Sequence, residues 1–302
     1  MAIVKWMCFV VLATFGILAA PGAAEALSIF TTPEEIDGVP QPAVENPNTD
    51  TLLRATATFD QVGNVLTVTL QNRSDAAQGG SDLLGAVYFN ITGNPTLTTG
   101  TATAEDVLYG STARAKSGNT SYTYGDGTTI GTAIKTYIDT GNVAPEWAYV
   151  GGLNKTLPSP GNVILYPASS SVTVQYGISS VGLGWFPSAN RFDTSIDLDN
   201  PPEPDGSNFA IMSNAGIGSK GQGLVNDPLI QDTATFTFTL ASPNAVTITD
   251  VWFQFGTGLT EPQLVGYVPG FGDNPPVVPE PVTMAGVCLG LCGLAGYVRR
   301  RR

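Results

Sequence analysis

The sequence predicts an all-β fold, most simply an antiparallel β-sandwich, set between two end segments of different composition. Three observations carry this. Glycine and proline are frequent, 35 and 22 in 302 residues, so the chain is broken at short intervals. Threonine recurs inside apolar stretches such as Thr233 to Leu240, TATFTFTL, where a two-residue period puts Ala234, Phe236, Phe238 and Leu240 on one side. Between the ends, no apolar pattern at helical spacing lasts more than two turns. Strands with one apolar face bury it by packing sheet on sheet.

Taken in order, residues 1–26 read as a secretory signal peptide: Lys5 as a short positive region, Trp6 to Ala20 as the apolar region, and Ala24-Glu25-Ala26 as a small-x-small site. Cleavage is expected after Ala26, with Ala24 as the alternative because Gly22 and Ala24 also fit. Residues 27–50 are rich in proline and acid and suit an extended lead-in with little regular structure. The β domain is expected over 51–274. Its first hairpin pairs Leu53–Phe59, with Leu53, Ala55, Ala57 and Phe59 inward, against Val65–Gln71, with Leu66, Val68 and Leu70 inward, across a turn tipped by Gly63-Asn64. Leu83 to Ile91 is apolar at nearly every position, as a central strand covered on both faces would be. Thr96 to Thr103 alternates less clearly. Gly110 to Gly131 suits a long loop or a pair of weak edge strands, and Trp147–Val150 and Ser171–Tyr176 are short strand candidates around a loop holding Pro158 and Pro160. Thr233–Leu240 is followed by a turn at Ala241–Asn244 and a return strand over Val246–Phe255. In that strand Val246 and Ile248 are out of phase with Val251, Phe253 and Phe255, which predicts a β-bulge near Thr249-Asp250.

Composition excludes several chemistries. The chain has no histidine, which removes Ser-His-Asp and Cys-His nucleophilic sites and His-bearing zinc sites. Its three cysteines, Cys8, Cys288 and Cys292, all lie in the end segments, so the exported domain holds neither a disulfide nor a Cys-ligated zinc. Cys288 and Cys292 share a helical face, where small-residue packing in a membrane helix is the plainer reading than a redox or metal pair. Processing at both ends removes Lys5, four arginines and Glu25, so the 13 basic and 25 acidic residues become 8 and 24, a net charge of −16. Nucleic acid is therefore not an expected partner.

Two clusters are candidate sites. Asp193, Asp197, Asp199 and Asp205 fall in the Gly/Pro-rich stretch RFDTSIDLDNPPEPDGSN, with Asn200 and Glu203 among them. Such oxygen ligands suit Ca²⁺, the one cofactor considered, although the spacing is not that of an EF-hand and a solvated acidic loop has the same composition. Tyr122, Tyr124, Trp147, Tyr149, Trp185 and Phe186 could form a stacking platform for sugars, core packing being the commoner fate of such rings. Sequons occur at Asn72, Asn90, Asn119 and Asn154 at about the frequency chance gives.

The last segment, residues 275–302, has three parts in fixed order: Val278-Pro279-Glu280-Pro281, an uncharged run over 282–298, and Arg299, Arg300, Arg301 and Arg302. As a helix the run is about 25 Å long, just enough to cross a bilayer. The arginines are expected to stay cytoplasmic and leave the rest of the chain on the far side. Pro279 and Pro281 keep Val278 and Glu280 extended, where a processing enzyme could grip them. This order resembles the PEP-CTERM sorting signal of Gram-negative surface proteins, which is recognised by membrane transpeptidases called exosortases. ATATFDQVGNVLTVTLQN (55–72), LLGAVYFNITGNPTL (83–97), PDGSNFAIMSN (204–214), NDPLIQDTATFTFTL (226–240) and VWFQFGTGLTEP (251–262) likewise resemble segments of exosortase-dependent surface proteins. The resemblance implies location and fold, with no assigned activity.

The expected function is that of an exported envelope or extracellular-matrix protein, anchored in the inner membrane as a precursor and then passed to the cell surface or matrix. Its mature domain is expected to be a structural or interaction module and not an enzyme. A glycan-binding adhesin that takes extracellular polysaccharide is the alternative, and a carboxylate-dependent glycoside hydrolase the more distant one.

Overall fold

The computed structural model describes residues 25–32, 35–36, 39–40, 44–109, 113–114, 122–123, 129–130, 140–157, 173–186, 190–194, 207–224 and 227–266. These are almost wholly β. We number the principal strands β1 (Glu25–Thr31), β2 (Ala55–Val62), β3 (Val65–Asn72), β4 (Leu84–Ile91), β5 (Leu97–Tyr109), β6 (Ala148–Thr156), β7 (Thr173–Ser179), β8 (Ile211–Met212), β9 (Pro228–Leu240), β10 (Ile248–Phe255) and β11 (Gln263–Val265). With Ala113–Arg114, which pairs with β5, they form one branched 12-stranded sheet.

The branching follows from two long central strands. β9 pairs with β5 along one edge and with β3 along the other, so one run of strands reads β1-β2-β3-β9-β5. β4 pairs with β7 on one edge and β10 on the other, so the second run reads β6-β7-β4-β10-β11. The link between the runs is β8, parallel to Ile230-Gln231 of β9 and antiparallel to β4 at Leu84. Asn72 holds this junction, its amide donating to Ile211 O at 2.8 Å and Asp82 O at 3.1 Å.

The apolar faces of the two runs meet in a common core. Phe59 of β2 lies 5.0 Å from Phe89 of β4, which stacks on Tyr176 of β7 at 5.5 Å. Phe236 of β9 lies 4.8 Å from Trp147, and Phe238 lies 5.4 Å from Tyr149 of β6. Trp147 is fully buried and donates its indole N–H to Phe209 O. Each such ring contributes roughly 1.5–3 kcal/mol by leaving water.

The alternating strands read from the sequence appear with the expected phase. Leu53, Ala55, Ala57, Phe59, Leu66, Val68 and Leu70 are buried, as are Ala234, Phe236, Phe238 and Leu240. β2 and β3 close over a two-residue turn in which Gly63 supplies φ 62°. β4 is covered on both sides: Val87, Phe89 and Ile91 face the common core, and Ala86 and Tyr88 a second apolar layer with Phe186 and Trp252. The bulge in the return strand is present, with the register against β4 shifting between Thr249 and Trp252 and Asp250 at φ 51°.

Other expectations need correction. The lead-in is not free of regular structure: β1 adds seven residues to the edge of β2, and Val44–Glu45 pairs with Leu52–Leu53. β5 extends well beyond Thr103, to Tyr109, and β6 and β7 run on to Thr156 and Ser179. The Gly110–Gly131 stretch holds a short pair, Tyr122–Thr123 with Thr129–Ile130.

Candidate functional site

The sorting residues Val278 to Pro281, the apolar run 282–298 and Arg299 to Arg302 lie outside the described residues, as does Ala24. No helix among the described residues is long and apolar enough to cross a membrane. Ala26 lies in β1, opposite Gln61. Of the acidic cluster, only Asp193 is described; its backbone N–H donates to Ala144 O at 3.1 Å. Asp197, Asp199 and Asp205 lie outside. Among the described residues no three acidic side chains gather as a metal site.

The described carboxylates are tied into their own loops. Asp82 is buried and accepts from Asn46 Nδ2 at 2.7 Å, Thr49 Oγ1 at 2.6 Å, Thr51 Oγ1 at 2.9 Å and the backbone N–H groups of Gln78 and Gly79. That carboxylate organises two turns beside the β8 junction, and its hydrogen-bonding capacity is spent there. Asp232 accepts from Gln71, and Asp250 from Asn90. Asn72, whose amide holds the junction, is buried, whereas Asn154 is exposed at a left-handed position, φ 44°.

The aromatic candidates do not form one platform. Trp147 and Phe186 are buried, and Trp185 packs edge-on to Tyr88 at 5.7 Å in the second apolar layer. Tyr122 sits in the short pair with Ile130, and Tyr124 lies outside the described residues. Only Tyr149, half-buried, faces an opening, and there it is joined by a residue the sequence reading did not single out, Tyr176.

That opening is a cleft of about 430 Å³ lined by the β4–β5 turn (Asn94 to Leu97), by Tyr149 to Gly152 of β6, by Tyr176 and by Asn190. Its shape follows from the sequence. Gly151 pairs with Tyr176, and a Cβ there would come 3.4 Å from the phenol ring. Gly152, at φ 68°, begins the bulge that bends β6 before Lys155. Two successive residues without side chains open space beside two rings. The Tyr176 hydroxyl lies 2.5 Å from Pro95 O and 2.7 Å from Asn94 Oδ1, which pins the turn to the floor, and loss of hydration pushes its pKa up to about 12. The lining is neutral throughout: phenols, amides, a threonine hydroxyl and backbone. Such a surface can stack on and hydrogen-bond an uncharged polyhydroxylated ligand.

Compared with protein-family models, curated proteins and solved structures, the chain matches none.

Proposed function

We propose that this is an exported envelope or extracellular-matrix protein of a Gram-negative bacterium, held by the helix over 282–298 and cut near Pro279-Glu280-Pro281 by an exosortase. Its mature domain, with the two strand runs packed as a β-sandwich, serves as a structural or interaction module. The observation that carries this reading is the three-part tail, because each part has a separate physical task and the order fits only a membrane-held processing substrate. The body of the chain agrees with it, since its core is built from rings and aliphatic side chains with no cysteine in the exported part. In a host with an exosortase, Glu280→Ala should accumulate a longer, membrane-bound precursor. An unchanged product would contradict the proposal.

A second reading, glycan binding, is favoured by the neutral cleft with Tyr149, Tyr176, Asn94 and Asn190. Hydrolysis would require a carboxylate pair about 5–9 Å apart at the substrate, and none lines this cleft. Purified protein incubated with a panel of neutral polysaccharides should bind without releasing reducing ends. Asn190→Ala, at the rim, should weaken binding about tenfold, in line with the loss of one or two hydrogen bonds. Reducing-end release would instead indicate an enzyme.

A further inference from the structure

The outer face of the β1-β2-β3-β9-β5 run differs from the rest of a strongly acidic protein. In register, Ile29, Thr58, Thr69, Thr235 and Thr103 form one row across five strands. Beside it runs Leu27, Asp60, Thr67 and Thr237, with Thr101 Oγ1 2.9 Å from Thr237 Oγ1. Val62, Val65 and Thr239 make the next row. The exposed large hydrophobic residues among those described are Leu27 (55%), Ile29 (40%), Val62 (55%) and Val65 (41%), and all four stand in these rows. Asp60 and, beside Val62, Glu25 are the acidic residues, both at the β1–β2 margin.

We propose that this face docks a second copy of the same chain, face to face about a two-fold axis running along β3. Three properties select that occupant. At a net charge of −12, copies repel through most surfaces, so they can approach closely only through one that is nearly neutral. Threonine hydroxyls both donate and accept, so an array of them complements itself, as an isologous contact requires. The five strands span about 20 Å by 20 Å, so pairing two faces would bury on the order of 1,000 Å², the lower limit for a specific interface. The dimer is accordingly weak, with the sheets crossed at about 30°. An axis along β3 sets the acidic margin of one copy over the β5 margin of the other and keeps the Asp60 side chains apart. The inference does not depend on the sorting route or on the cleft, which lies on the other run.

The test uses the full chain in mild detergent. Sedimentation velocity should show a concentration-dependent dimer that tightens as NaCl rises from ~0.05 to ~0.5 M, since screening relieves the repulsion. Thr69→Lys with Thr235→Lys should weaken it by at least about tenfold through desolvated like charges. With Cys8, Cys288 and Cys292 replaced by Ser, Thr69→Cys near the axis should oxidise to a disulfide-linked dimer, while Ser242→Cys in the exposed β9–β10 turn should not. The cross-link decides the matter if the lysine pair fails to fold. A monomer at all concentrations would overturn the proposal. So would a dimer indifferent to the lysines, which would place the contact elsewhere, such as the open edge of β1. Slow thiol labelling of Thr69→Cys in a monomer would mean that another segment of this chain covers the face, and would overturn it as well.

Discussion

Tyr88 and Tyr176 enter the same run of strands and meet different environments. The Tyr88 hydroxyl is buried without a hydrogen-bond partner, and desolvation raises its pKa far above the ordinary phenol value. Tyr176 has partners at Asn94 and Pro95 and a pKa pushed up to about 12. Both phenols therefore keep their protons in the folded chain after the unfolded chain begins to lose them near pH 10. Stability should be unaffected by them below about pH 10 and fall by roughly 1.4 kcal/mol per pH unit for each above it. Tyr88→Phe removes an unsatisfied hydroxyl, so it should stabilise the protein by about 0.5–2 kcal/mol at pH 8 and flatten the alkaline fall. Tyr176→Phe should lower stability at pH 8. Denaturant midpoints at pH 8, 10.5 and 11.5 check both. Asp82→Ala is the opposite case, because it strands the donors of Asn46, Thr49, Thr51, Gln78 and Gly79, and a loss of about 3–5 kcal/mol is expected in the same measurement.

At the scale of the element, the bulges decide what a sequence reader can see. In β5, the pairings Phe236 with Ala102 and Phe238 with Thr99 leave one extra residue on β5. Gly100 makes this possible, since a Cβ there would lie 2.3 Å from Thr237 O. Leu97 and Ala102, five positions apart, are both buried because the phase is reset between them, so the strand shows no clean alternation although it is as long as β9. Gly100→Val should cost about 1–3 kcal/mol by forcing β5 from β9, read as a lower thermal midpoint. The bulge at Asp250 was legible because apolar residues flank it in both phases. β2, β3 and β9 were legible because each puts one face in the core and the other in water, and β4 because both its faces are covered. β1 was not, since Leu27 and Ile29 turn outward and only Phe30 is buried. β8, at two residues, carries no period at all. The cleft draws on the β4–β5 turn, β6, β7 and Asn190, and its one local sign was the Gly151-Gly152 pair beside Tyr149.

For the whole molecule, the account is of a cysteine-free, acidic β domain carried between two segments that it loses. β1 bears on the first loss. Its strand begins at Glu25, and Glu25 and Ala26 pair with Val62 and Gln61. A cut after Ala26 would remove two of its seven residues, whereas a cut after Ala24 would leave it whole. We therefore expect Glu25 as the mature N-terminus, detected as such by N-terminal sequencing. The second loss is the central claim, and the intact mass of the protein recovered from an exosortase-bearing host tests it most directly. The account requires a C-terminus at or close to Pro279-Glu280-Pro281, with the apolar run and all four arginines gone. A mass that still includes Arg302 would contradict it.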